Sequence, residues 1–352
     1  MGKSKVLHIL SSKTYNGAEN VVCQINRMLR ETETSFELIY CSLDGPVRRH
    51  IEDNNITFVP VKSISRRELK KVIQMVRPDI IHAHDMRAGF VSGLACGDIP
   101  LISHIHNNNF DSRRISLKSV LYLYAAIKAK RIFWVSESSF DGYCFHSLLK
   151  RKSEVLFNAI DIEELYQKAR QDSNVYTYDA VYLGRLTFQK NPQRLIEVLS
   201  KAVKKKSTFT AAVLGDGEDV PEVLSLIKEK GIAENVEYLG YFNNPYKVLL
   251  SAKMMLMTSR WEGTPMCALE AIGMGIPIIS TPVDGMCDLI NNGINGFLSD
   301  DDDELAKYCV EIASNSILQK QLSNGAKETA QRQMNLDSYR DAILTAYNSV
   351  IK

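Results

Sequence analysis

Short runs of β-branched and other apolar residues alternate along this chain with segments whose apolar positions recur every three or four residues. The runs KVLHIL, FELIYCSL and ITFVPV lead into a helical pattern, SRRELKKVIQMVR, and then to DIIHAHD, LISHIH, RIFWVS and EVLFNAID. Strand runs separated by helices predict a parallel sheet covered by helices, the α/β class. A polar segment, EELYQKARQDSNVYTYD, follows Asp161, and the alternation restarts with AVYLGRL, TFTAAVLGDG, NVEYLGY, MMLMTS, IPIIST and NGFLS. The pattern predicts two doubly wound, Rossmann-like domains over residues 1–165 and 166–334, joined near residues 162–178. The last helical pattern, LDSYRDAILTAYNSVIK, has no strand after it, so residues 335–352 are expected to strap back onto the first domain.

Length supports two cores, because 352 residues exceed what one hydrophobic core usually organises. With 45% hydrophobic and 24% charged residues there is apolar material for both, and no low-complexity tract argues for disorder. No uncharged apolar run approaches the ~20 residues of a membrane span. The opening MGKSKVLHILSS reads as a strand rather than a cleavable leader, so a cytoplasmic protein is expected. Seven scattered cysteines without a C-x-x-C pair read as reduced thiols, with neither a disulfide nor a zinc knuckle. Charge is uneven: residues 1–170 hold 25 Lys and Arg against 18 Asp and Glu, and residues 171–352 hold 18 against 23. The first domain is therefore basic and the second acidic, and a cleft between them would be bipolar.

The stretch SRWEGTPMCALEAIGMGIPIIST, residues 259–281, concentrates the candidate chemistry. MMLMTS is a buried-strand run, Pro265 suits a first helical position and Thr264 is a natural N-cap, so a helix is expected to begin at Thr264-Pro265. Its free amides would lie beyond the C-terminal end of a strand, where an open parallel sheet binds ligands and a helix start favours an anion. Glu262 and Glu270 make no sense as phosphate contacts, since like charges ~4 Å apart cost about 4 kcal/mol even at an effective dielectric of ~20. They make sense as acceptors for the hydroxyls of a sugar or ribose.

These residues resemble the retaining GT-B glycosyltransferases of the large family four, whose signature is Glu-x7-Glu set in EG-x-P-x-x-x-x-EA. Here it reads Glu262-Gly263-Thr264-Pro265 through Glu270-Ala271. LGRLTFQKN is similar to the family's diphosphate-binding segment and supplies Arg185 and Lys190. LGDGE at Gly215 to Glu218, NAID at Asn158 to Asp161, NGINGFL at residues 292–298 and NGAE around Gly17 extend the likeness over nearly the whole chain. NGAE carries one glycine where the family often has two. The resemblance implies two Rossmann-like domains facing a cleft and a metal-independent transfer, with retention of configuration, of a hexose or amino-hexose from a nucleotide-diphosphate sugar to a hydroxyl acceptor. That acceptor is expected to be a lipid-linked glycan of a cell-surface polysaccharide such as a capsule. The resemblance further implies that Glu270 accepts the ribose hydroxyls, that Glu262 and His106 meet the donor sugar, and that Arg185 and Lys190 neutralise the leaving diphosphate. Gly17, Gly215, Gly217, Gly263, Thr264, Pro265, Met266 and Cys267 would complete the donor site.

Other patterns admit other readings. His82-Ala83-His84 and His104-Ile105-His106 each put two imidazoles on one face of a strand, and with Asp85 they could serve a metal-dependent hydrolase. His104 and His106 share a face, which leaves open which of them meets the sugar. A non-catalytic binder of sugar nucleotides has the same contacts as the enzyme. LGDGEDVPEV lacks the third glycine of a dinucleotide fingerprint, which argues against a nicotinamide enzyme. Asp300 to Asp303 contains D-x-D, yet it precedes the helical ELAKYCVEIA and reads as a helix cap rather than a metal site. No metal, cofactor or nucleic-acid partner is expected. Arg113-Arg114 and the helical LKSVLYLYAAIKAKR, residues 117–131, combine tyrosines with basic ends and fit an anionic membrane surface.

Overall fold

The computed structural model describes residues 3–32, 34–106 and 112–351. The chain divides into two compact units, the first running to Asn158 and including Leu336–Lys352, the second Ala159–Asn335.

In the first unit seven parallel strands, β1 (Ser4–Ile9), β2 (Phe36–Leu43), β3 (Thr57–Val61), β4 (Ile80–His84), β5 (Leu101–Ile105), β6 (Arg131–Trp134) and β7 (Ser153–Val155), lie in the order β3-β2-β1-β4-β5-β6-β7. Helices α1 (Gly17–Glu31), α2 (Val47–Asp53), α3 (Arg66–Val76), α4 (Met86–Ala95), α5 (Leu117–Lys128), α6 (Glu137–Asp141) and α7 (His146–Leu149) connect them. Every residue of β4 and β5 is buried, as a sheet covered on both faces requires. Burial on both faces is also why four imidazoles, those of His8, His82, His84 and His104, can be enclosed. The side-chain period of two puts His82 and His84 on one face of β4, and the register pairs His8 of β1 with His82 and His84 with His104 of β5.

The second unit has six parallel strands, β8 (Tyr178–Leu183), β9 (Ala211–Leu214), β10 (Val236–Gly240), β11 (Ala252–Met257), β12 (Ile278–Ser280) and β13 (Gly296–Leu298), in the order β10-β9-β8-β11-β12-β13. Its helices are α8 (Ile162–Gln171), α9 (Pro192–Lys205), α10 (Val220–Glu229), α11 (Tyr246–Ser251), α12 (Met266–Gly273), α13 (Asp284–Leu289), α14 (Asp302–Ser314) and α15 (Ser316–Gln333). Helix α16 (Leu336–Val350) closes the chain and belongs to the first unit.

Three local expectations are resolved here. The polar segment after Asp161 is no simple joint. Asp161 accepts a hydrogen bond from the Glu164 amide at 2.9 Å, Lys168 pairs with Glu164 at 2.8 Å, and Leu165 and Ala169 are buried, so helix α8 forms there. Helix α12 begins at Met266, with Pro265 in an extended conformation at its N-cap and no side-chain cap bond, rather than with Thr264 as cap. The acidic run does cap a helix: the Asp301 carboxylate accepts from the amides of Asp303 and Glu304, while Arg194 pairs with Asp300 and Asp302.

Candidate active site

In the second unit the strand order reverses between β8 and β11, because β9 and β10 lie on one side of that pair and β12 and β13 on the other. Chain crossovers leave the sheet in opposite directions there and open a crevice at the carboxyl ends of the strands. The segments leaving those two ends are residues 184–191, which carry Arg185 and Lys190, and residues 258–265, which carry Glu262. They are tied together by polar bonds. The Arg260 amide donates to the Gln189 carbonyl at 2.8 Å, Gln189 Nε2 to the Trp261 carbonyl at 3.0 Å, and Thr258 Oγ1 to the Asn191 carbonyl at 3.1 Å. The Arg260 guanidinium also lies 4.0 Å from the Phe188 ring centre.

This bracing brings Lys190 and Glu262 into a direct ion pair, with side chains only 10% and 5% exposed. Ser259 donates to the same Glu262 oxygen at 2.6 Å. Burial works against the Lys190 charge, but the Glu262 carboxylate outweighs it and holds the ammonium above the ordinary lysine value. Arg185 differs: it is exposed and has no acidic partner within 4 Å among the described residues. Of the two expected diphosphate-binding cations, one is therefore neutralised by Glu262 and the other is available to an incoming anion.

The loop glycines have a steric explanation. A Cβ on Gly215 would sit 1.8 Å from the Gly184 carbonyl oxygen, and one on Gly217 would sit 2.1 Å from that of Leu186. Gly215 also adopts φ +140, which side chains disfavour. Both glycines thus let the LGDGE loop press against the backbone that carries Arg185, and Leu186 donates back to the Asp216 carbonyl at 2.9 Å. Gly263 is met the same way by Gly285, whose Cβ would lie 1.5 Å from the Gly263 carbonyl oxygen. Nothing in the sequence singled out Gly285, because the close approach is made by residues distant in the chain.

Met266 and Cys267 open helix α12, and burial pushes the Cys267 thiol up to about 12, which leaves it inert. Glu270 lies further along the helix, where Tyr246 Oη donates to it at 3.2 Å. Burial raises its carboxyl to about 7, against the smaller opposing effects of the Tyr246 hydrogen bond and Lys168. Ser259 and Tyr246, the partners of the two glutamates, were not recognised from sequence. Ser259 sits three positions before Glu262 in the quoted stretch, whereas Tyr246 reaches Glu270 only through the fold.

In the first unit the order reverses between β1 and β4. Gly17 starts α1 beyond β1, after the Asn16 amide has donated to the buried Glu19 carboxylate at 2.9 Å. His104 is wholly buried, and His106, just past β5, is partly exposed as a residue while its Nδ1 atom is buried and its Nε2 lies 2.9 Å from His84 Nδ1. The two His-x-His pairs do converge, since ring nitrogens of His84, His104 and His106 lie within 4.8 Å of one another. Asp85 does not join them. Its carboxylate accepts from the Ala88 amide at 2.6 Å and from the Ser11 amide and hydroxyl at 3.0 and 3.1 Å, so it caps α4 and anchors the loop after β1.

Residues 15–164 match the family model described as Glycosyltransferase Family 4, and residues 164–329 match that described as Glycosyl transferases group 1. The chain is 25% identical over 354 residues to UDP-Gal:alpha-D-GlcNAc-diphosphoundecaprenol alpha-1,3-galactosyltransferase of Escherichia coli, with 90% of this chain and 89% of that relative covered. It is 24% identical over 86% of each chain to the capsular polysaccharide biosynthesis glycosyltransferase CapH of Staphylococcus aureus. Among solved structures, Anabaena Alr3699/HepE in complex with UDP superposes with a TM-score of 0.84 at 21% identity, over 98% of this chain and 100% of that one. At that identity the likeness is one of fold, and it is the two-domain α/β fold expected from the sequence. The two family matches adjoin and span residues 15–329, and the chain belongs to the glycosyltransferases, with a family 4 domain followed by a group 1 domain.

Proposed function

We propose that the protein transfers a hexose or amino-hexose from a nucleotide-diphosphate sugar to a lipid-linked glycan, with retention of configuration and without a metal ion. The observation that carries this reading is the convergence of Arg185, the Lys190–Glu262 pair and the start of α12 on the β8/β11 switch point. Arg185 and the amides at the start of α12 supply positive potential for the diphosphate, the task a divalent cation performs elsewhere. Glu270, in its ionised form, accepts the ribose hydroxyls. Glu262 takes the sugar, held in place by Lys190 and Ser259. In the first unit His106 meets the donor sugar. Retention rests on the Glu262-x7-Glu270 setting and its likeness to the retaining families.

The acceptor side is supported by α5. Its Tyr122, Ala125 and Ala126 are buried, but Leu117, Val120, Tyr124 and Ile127 are 76%, 46%, 42% and 62% exposed. These four fall at helical spacing and form an apolar stripe facing away from the core. Arg113, Arg114 and Lys118 are exposed at its start. Beside it lies a cavity of about 330 Å³ lined by Met86, Phe90, Leu121 and Tyr122 together with Arg87 and Lys118. An apolar stripe with basic residues suits the surface of an anionic bilayer, and an apolar cavity with two cations suits the lipid diphosphate of an acceptor. Two relatives act on diphosphoundecaprenol-linked sugars by name, which supports the same acceptor class.

The direct test is thermal stabilisation by a panel of UDP-, GDP- and ADP-sugars, because a ligand that binds only the native state raises its melting temperature. One nucleotide series is expected to raise the Tm, and Arg185→Ala is expected to abolish the rise. A panel without any shift would contradict the reading.

A further inference from the structure

Glu270 is held from one side only. Its Oε1 accepts from Tyr246 Oη at 3.2 Å, while among the described residues Oε2 has no hydrogen-bond partner and the carboxylate has no cation within 4 Å. An ionised carboxylate offers about four lone-pair sites, so most of them stay open here. The Tyr246 side is firmly built. Tyr246 opens α11, whose Val248 and Leu249 are buried. Asn244 Nδ2, just before that helix, donates to the Lys168 carbonyl of α8 at 2.7 Å, and Tyr166 Oη of α8 donates to the Met274 carbonyl just past α12 at 3.2 Å. Helix α8 therefore ties α11 to α12, and the phenol and carboxylate that meet between them are fixed by hydrogen bonds to backbone carbonyls on both sides.

The other titratable groups facing Glu270 are Lys168 and Glu164 of α8, paired with each other at 2.8 Å, and Cys267 on its own helix. The Lys168 charge acts at a distance and is offset by Glu164, and the Cys267 thiol, pushed up to about 12 by burial, stays neutral. That leaves the phenol as the one group bonded to the carboxylate among the described residues. An ionised carboxylate can only accept, so Tyr246 donates in that state, and a bond to a charged acceptor is about twice as strong as a neutral one. Tyr246 thus favours the ionised form against the burial that raises Glu270 to about 7. A cation in its place would favour the charge more but would also occupy it, whereas a phenol leaves Oε2 open.

We propose that Tyr246 is a positioning residue of the candidate site: by holding Oε1 of Glu270 from α11, it sets which oxygen is offered to a ligand, Oε2, and the pH above which that oxygen is a bare acceptor. The consequence for the donor, that Tyr246 governs how tightly ribose hydroxyls are held, rests on the reading of Glu270 given above. The hold of Tyr246 on Glu270 does not.

The experiment is a ¹³C NMR pH titration of the ligand-free full chain labelled at glutamate Cδ, the Glu270 signal being identified by its loss in Glu270→Gln. Tyr246→Phe keeps the ring and removes the hydroxyl, and it is expected to raise the Glu270 midpoint by about one pH unit. Labelled at tyrosine Cζ, the wild-type protein is expected to show one signal that titrates with the Glu270 midpoint and ceases to in Glu270→Gln, which tests the bond should Tyr246→Phe fold poorly. A midpoint unchanged or lowered in Tyr246→Phe, or no tyrosine signal that follows Glu270, would overturn the proposal. Calorimetric titration with UDP-, GDP- and ADP-glucose then separates the two claims. The nucleotide sugar that binds is expected to bind Tyr246→Phe about fivefold more weakly at pH 7 and nearly as tightly as the wild type at pH 9, as the ionised fraction of Glu270 dictates. Equal weakening at both pH values is what lost packing alone would give, and it would overturn the positioning role. A raised midpoint with unchanged affinity, or with none of the three binding to the wild type, upholds the hold of Tyr246 on Glu270 and contradicts the ribose reading instead.

Discussion

Glu270 and Glu262 stand in one signature, but their surroundings give them different chemistry. Glu270 is raised to about 7 by burial, so in the ligand-free protein it is largely protonated below that pH. Ribose hydroxyls are accepted best by the ionised form, so donor affinity should strengthen as pH rises through 7 and weaken by up to about tenfold per unit below it. Calorimetric titration at pH 6 and 8 checks this, and Glu270→Gln should flatten the dependence. Glu262 is instead half of a buried ion pair. Removing one partner of such a pair costs about 3–5 kcal/mol because a charge is left uncompensated, whereas replacing both can be nearly neutral. Lys190→Met should therefore lower stability strongly, and Lys190→Met/Glu262→Gln should recover most of the loss in denaturant titrations. Turnover should stay abolished in the double variant, which separates the catalytic role from the structural one.

At the scale of elements, helix α5 was legible as an amphipathic segment with basic ends, but the sequence left its orientation open. A doubly wound unit needs an apolar helix face against its sheet, and α5 supplies that face through Tyr122, Ala125 and Ala126 while keeping a second apolar stripe exposed. Anionic vesicles should sediment the protein at low salt and release it as ionic strength rises, with each basic residue near the surface worth about 1 kcal/mol. Arg113→Ser/Arg114→Ser should lower the affinity and its salt dependence, and Leu117→Ser/Ile127→Ser should weaken binding at all salt concentrations. Lys128 is less suited to such a test, since its ammonium donates to the Gly93 carbonyl at 3.0 Å and so holds α5 to α4. The strands were the most legible elements, because buried parallel strands appear as continuous apolar runs. Helix α8 was missed for the opposite reason: only Leu165 and Ala169 bury, and its stability comes from the Asp161 cap and the Glu164–Lys168 pair.

For the molecule as a whole, the order of strands explains why residues distant in sequence share a site. Lys190 and Glu262 are 72 positions apart, and a parallel sheet that reverses at β8/β11 delivers both to the same end of the second unit. Their types and spacing were readable from the sequence, but their ion pair was not, because it depends on how two loops brace one another. The histidine cluster of the first unit was less legible still. The pairs His82-x-His84 and His104-x-His106 were visible, but His8 and Tyr347, 339 positions apart, meet only when α16 joins the first unit. Among the described residues no helix is long and apolar enough to cross a membrane.

The most direct test of the central claim is transfer of labelled sugar from the stabilising nucleotide sugar to a polyprenyl-diphosphate-linked acceptor in the presence of EDTA. Transfer by the wild-type protein is expected to persist under chelation, with a product of the donor's anomeric configuration and a loss of at least about 100-fold in Lys190→Met/Glu262→Gln. Activity that disappears with EDTA and returns with added metal, or a double variant as active as the wild type, would contradict it.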